Sequence, residues 1–66
     1  MKVDYDKQID VLSVVFSDSP VDESDEVRPG VILDFDANGR VIGMEILDAS
    51  RRMDNPASVE FAVKAA

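Results

Sequence analysis

The 66-residue chain has no cysteine and no histidine. Without cysteine, no disulfide can staple a small fold. Without either residue, the usual zinc ligands and the Cys and His nucleophile systems are excluded. The side chain that ordinarily titrates near neutrality is also missing. Long apolar runs are absent too, and nothing approaches the ~20 residues of a membrane span. The opening "MKVDYDKQID" lacks the apolar region of a secretory signal. Positive charge is scarce: seven Lys and Arg stand against fourteen Asp and Glu, a net charge of −7. Such a balance does not favour a nucleic-acid backbone as partner, because each phosphate contact draws on Lys or Arg. It suits a soluble chain, or one that meets a basic protein by electrostatic steering. The expectation is one cytoplasmic domain over residues 1–66. A domain this short buries only ~60% of the surface its unfolded chain exposes, so its stability is marginal.

What is present is mostly β in character. Val3 and Tyr5 alternate with Lys2 and Asp4 as a short strand. "VLSVVFS" (11–17) is rich in β-branched residues, with Leu12, Val14 and Phe16 on one face. "VDESDEVR" (21–28) reads as a solvated edge strand or an ordered loop, and its charges would oppose edge-to-edge aggregation. Pro29-Gly30 marks a turn. "VILDFD" (31–36) and "RVIGMEIL" (40–47) flank Ala37-Asn38-Gly39, and an Asn-Gly pair between β-rich runs is a strong hairpin signal. After Leu47, Asp48 is positioned to cap a short helical turn with its carboxylate. Arg51 and Arg52 follow near its end, and Asn55-Pro56 breaks it. In residues 57–66, Val59, Phe61 and Val63 alternate with Glu60 and Ala62. That favours a strand over the helix that the alanines would suit. The expected fold is a small antiparallel meander sheet of five to six strands, with one short helical turn after the fifth.

Residues 34–45, "DFDANGRVIGME", also match the calcium-loop pattern at Asp34, Asp36, Asn38, Gly39 and Glu45. An EF-hand needs helices on both sides to aim its ligands. The flanks here are strand-like. The hairpin reading therefore takes precedence, with Asp36 and Asn38 as turn formers and Gly39 supplying positive φ.

Tyr5-Asp6, the β-rich segment after Asp10, Gly30-Val31-Ile32, Asp34, Asp36, Gly39 and the run Glu45 to Ser50 together resemble the DUF2283 family of small bacterial and archaeal proteins of unknown function. The likeness covers about residues 1 to 52. It departs at Val11, where a small residue is expected. The resemblance implies a small, mostly β fold and no particular activity. It also implies an antitoxin-like role beside a small basic protein, since some members are thought to lie next to toxin-like genes.

Other constellations have plainer structural readings. Asp34, Asp36, Glu45 and Asp48 could form a carboxylate pair for acid–base work, but that chemistry needs a pocket that raises one pKa. Solvated faces and caps account for them as well. No histidine can activate Ser13, Ser17, Ser19, Ser24, Ser50 or Ser58. Arg40, Arg51 and Arg52 suggest forks onto local acids. Tyr5, Phe16, Phe35 and Phe61 read as core, with Met44 as gap-filler beside Ile42 and Ile46. No catalytic residue, cofactor or metal is assigned, and a non-catalytic interaction module is expected. The alternative is a small carboxylate- or metal-dependent enzyme or a calcium-binding protein. Apolar residues fall on both sides of the strands: Val11 and Val15 oppose Leu12 and Val14, and Val41 and Leu47 oppose Ile42 and Met44. A one-layer sheet should alternate more cleanly. A homodimer is the expected way to cover the excess.

Overall fold

The computed structural model describes residues 1–65. It contains β1 (Lys2–Asp6), β2 (Val11–Val15), β3 (Glu23–Arg28), β4 (Val31–Phe35), β5 (Val41–Leu47) and α1 (Ala49–Arg52). All five strands pair antiparallel in one open sheet of order β1-β2-β5-β4-β3. The mainly β fold expected from the sequence is therefore present, with the helical turn after the fifth strand, but the expected meander is corrected: after β2 the chain crosses to the far edge to form β3, and β5 fills the place beside β2. Residues 23–28 form one edge of the sheet, and β1 forms the other. Both edges carry charges, which blunt edge-to-edge aggregation.

Residues opposite one another in a ladder share a face. Tyr5, Leu12, Ile46 and Val31 lie in one lateral row, and Val3, Val14, Met44 and Leu33 lie in the next. These rows make one face apolar. At its β3 margin the same face ends in Asp25, opposite Leu33, and Glu23, opposite Phe35. The other face carries Asp4, Ser13, Glu45, Ile32 and Glu26 in one row, and Lys2, Val15, Gly43, Asp34 and Ser24 in another. Its charges are mostly acidic, but Val15, Ile32 and the Val11–Leu47 pair leave it partly apolar as well.

The hairpin at Asn38-Gly39 forms, through a three-residue loop. Gly39 N–H donates to the Asp36 carbonyl at 3.0 Å, and Asp36 N–H donates to the Arg40 carbonyl at 3.0 Å. Gly39 takes φ 78°, while Asn38 keeps negative φ. This is a type I turn closed by a glycine bulge, one of the common hairpin loops. The Asp36 carboxylate also accepts from the N–H groups of Asn38 and Arg40, both at 2.9 Å. Asp36 thus lies beyond the end of β4 and is used up by the turn.

One irregularity shapes the centre. Asp34 faces Gly43 but Phe35 faces Val41, so Ile42 is an extra residue in β5. Its carbonyl accepts from both Phe16 N–H and Ser17 N–H, at 2.8 and 3.3 Å. There the chain leaves the β2 ladder, which is why β2 stops at Val15 and not at Ser17. Ile42 itself is only 4% exposed.

Three further expectations are corrected. Phe16 and Phe61 are exposed and belong to no core; Phe16 follows the bulge and leaves its strand's face. Residues 57–65 form neither strand nor helix, because their alternating apolar side chains meet no strand in the chain. Ala66, the last residue of that expected strand, lies outside the described residues. Arg40, Arg51 and Arg52 make no fork onto acids. Among the described residues the ion pair is Lys2–Asp4, at 3.7 Å and well exposed. The Arg52 guanidinium instead donates to the Pro29 carbonyl at 2.7 Å and lies over Gly30. A Cβ on Gly30 would displace the guanidinium, a shift a flexible arginine can make, whereas φ 77° at Gly30 favours glycine whatever the space.

Ile42→Ala is expected to cost about 2–4 kcal/mol, because it opens a cavity at the most tightly covered large side chain. Phe16→Ala should cost under about 1 kcal/mol, as for an exposed site. Urea melts of the two variants measure both; equal losses would contradict the burial described.

Candidate functional site

The densest polar cluster centres on Asp10. It ends the turn after β1 with φ 56°, a conformation that Asp tolerates better than most residues. Tyr5 Oη donates to its Oδ1 at 2.8 Å. The Ser50 N–H donates to Oδ1 at 2.9 Å, and Ser50 Oγ donates to Oδ2 at 2.7 Å. The Asp10 carbonyl accepts the Ala49 N–H at 3.0 Å. A residue forty positions away in sequence therefore caps α1. Asp48 holds the N-cap position with φ 53°, but its side chain makes no capping bond. The expected Asp48 cap is corrected accordingly: the left-handed backbone turns its carboxylate away, and Asp10 supplies the acceptor.

These bonds set the ionisation of the cluster. The Asp10 carboxyl is held below the ordinary aspartate value, first by the Ser50 hydroxyl, then by the Tyr5 phenol and the Ser50 N–H. Burial opposes this and Arg51 adds a small pull in the same direction. The Tyr5 phenol is raised, chiefly by its bond to Asp10. A carboxylate stabilised in its charged form is a poor proton acceptor for a serine hydroxyl. The trio works as a latch between the β1–β2 turn and α1.

The carboxylates named from the sequence are scattered. Asp34 lies beside Gly43 and accepts from the Ser24 hydroxyl. Glu45 lies mid-strand opposite Ser13 and Ile32. Asp36 is at the hairpin tip, and Asp48 is at the opposite end of β5. The five residues of the calcium pattern are spread along the hairpin and do not converge. Among the described residues, no group of three or more acids is placed to hold a metal ion. A shallow depression of about 260 Å³ lies where residues 19–22 pass the hairpin tip, and Asp36 is among its walls. Ser17 and Ser19 bond to each other, while Ser24 and Ser50 donate to the carboxylates of Asp34 and Asp10.

The remaining feature is the apolar sheet face. The helix makes only marginal contact with the strands, and extensive packing runs only between laterally adjacent strands. Among the described residues, no second layer of strands or helices covers the sheet. Among large apolar side chains only Val14, at 7%, and Ile42, at 4%, are buried; Leu12, Leu33, Met44 and Ile46 are half-buried. The sequence showed the excess of apolar residues. It gave no sign of Asp10, because a cap from so far along the chain exists only once the fold has formed.

Asp10→Ala should melt at lower temperature than Asp10→Asn, since alanine loses every acceptor and tolerates positive φ poorly. The folded carboxyl titrates below the unfolded one. Its stabilisation is therefore complete above the ordinary aspartate value and disappears as pH falls through the lowered folded value. Thermal melts between pH 2 and 7 should show a shallower acid limb in Asp10→Asn than in the wild type. Parallel limbs would remove Asp10 as the source.

No curated protein and no solved structure matches the chain. The family model for DUF2283, "protein of unknown function", matches residues 2–50, which include every strand and the Asp10–Ser50 latch. The chain belongs to the DUF2283 family.

Proposed function

We propose that this chain is a non-catalytic interaction module that acts as a homodimer, joined through its apolar sheet face. Surface area is the observation that carries the reading. The chain exposes 5242 Å². A folded monomer of its mass, 7.2 kDa, is expected to expose about 4,100 Å². The excess of about 1,100 Å², which the exposed residues 57–65 share with the half-covered sheet face, exceeds the ~800 Å² that each partner contributes to a standard interface. The apolar face has the layout of an interface, with large aliphatic side chains at the centre and Glu23 and Asp25 at the rim. A two-fold axis lets one such surface serve both copies.

Face-to-face packing leaves the acidic faces outward. Asp4, Glu26, Asp34 and Glu45 lie there with Lys2 as the one cation in the two rows. Such a surface suits a small basic protein, the partner of an antitoxin-like module. Steering by charge would speed that encounter and weaken with salt. No helix among the described residues is long and apolar enough to cross a membrane.

Sedimentation equilibrium in ~0.15 M salt is expected to give a dimer at micromolar concentration, tightening as salt screens the acidic charge. Leu33→Glu, on the apolar face, should yield a monomer. A wild-type chain near 7.2 kDa throughout would sink the reading. Ca²⁺, Mg²⁺ and Mn²⁺ at fixed ionic strength should leave the melting temperature unchanged; a large, saturable rise would favour the metal-dependent alternative.

A further inference from the structure

We propose that residues 60–64 of each copy add as a sixth strand to the free edge of β1 in the other copy, running parallel to it; this rests on the dimer reading above. The tail has the period-two pattern of a strand, yet Val59, Phe61 and Val63 are 63, 72 and 85% exposed. It is also the segment best able to approach another copy of an acidic chain. From Asn55 to Ala65 it carries one acid, Glu60, and one base, Lys64, so its net charge is zero within a chain of −7.

Two edges are available. At β3 the apolar face ends in Glu23 and Asp25, and a register shift between Glu26 and Arg28 distorts the edge. Bulges and inward-facing charges both oppose strand addition. At β1 the same face ends in Val3 and Tyr5, the ladder to β2 runs without a shift, and the outer side is unpaired. In parallel register Phe61 lies beside Val3, and Val63 lies beside Tyr5, which extends the apolar face. On the acidic face Glu60 then meets Lys2, and Lys64 meets Asp6. Every charged residue of the added strand has an opposite charge as its lateral neighbour, apart from the end effects of an exposed edge.

The donor must be a second copy. The chain leaves α1 at the end of the sheet where Asp10 and Pro29 lie, which is the Asp6 end of β1. A tail folding back on its own β1 would run antiparallel. Setting Phe61 beside Tyr5 and Val63 beside Val3 would then oppose Glu60 to Asp6 and Lys64 to Lys2, and like charges in such pairs destabilise. Reaching the parallel register within one chain would take the tail from α1, held at the Asp6 end, past the whole length of β1 to the Lys2 end before Glu60. Residues 53–59 would have to run almost fully extended to do so, and they are shortened by a turn in which Ser58 N–H donates to the Asn55 carbonyl at 3.1 Å.

Charge reversal with rescue tests the register. Lys2→Glu and Glu60→Lys should each weaken the dimer about 3- to 10-fold by sedimentation equilibrium, and the double variant should recover to within about 2-fold of wild type. Because the chain lacks cysteine, Val3→Cys with Phe61→Cys should oxidise to a reducible species of dimer mass. Val3→Cys with Ala62→Cys, whose side chains face opposite ways, should not. An intrachain disulfide, or no disulfide, would overturn the proposal, as would single charge reversals that leave the dimer unchanged. If the wild type is a dimer and these variants behave like it, only the tail placement fails. If the wild type is a monomer, the dimer reading fails with it.

Discussion

A single antiparallel layer can bury an apolar face only against something else, and this chain has little else to offer. Its five strands pack on their lateral neighbours, and among the described residues no element packs extensively across the sheet. The rows from Tyr5 to Val31 and from Val3 to Leu33 are therefore half-covered at best. Most of the molecule follows from that. The core is thin, the exposed area is large for the mass, and the tightly covered large side chains among the described residues are Val14 and Ile42, the latter at a bulge. Two-sheet packing is the common way for such a face to be completed.

The ends of the sheet are organised by local polar chemistry, and each end works differently. At the hairpin tip Asp36 and Gly39 build a self-contained turn from neighbouring residues. At the other end, Asp10 and Arg52 reach across the chain, to Ser50 and to the Pro29 carbonyl. These two contacts hold α1 and the last turn of β5 against the two loops. They also explain why a four-residue helix persists, since a helix so short is unstable without tertiary support.

The same economy bears on function. No histidine or cysteine is available, the acids lie apart, and the one clustered carboxylate is held in its charged form. The described residues present a largely apolar face, a face whose charges are mostly acidic, and two edges, of which β3 carries a register shift and β1 none. The tail carries alternating apolar side chains and no net charge, and its pattern has meaning only beside a strand.

The strand content, the hairpin at Asn38-Gly39, the edge character of residues 23–28 and the break at Asn55-Pro56 were all legible in the residues. Each depends on neighbours in the chain: β-branched alternation, turn formers and charge. The excess of apolar residues over what one face can hide was legible for the same reason. Other features were decided by tertiary structure alone. The bulge at Ile42 ended β2 early and put Phe16 in water. Asp10 displaced Asp48 as the cap, because a left-handed backbone at Asp48 and a closed β1–β2 turn bring the distant acid to α1. Arg52 chose a carbonyl over a carboxylate because Gly30 leaves room for it. The tail was not decided by the chain's own fold, since period-two alternation specifies a strand only where an edge accepts it, and residues 57–65 pair with neither edge of the sheet.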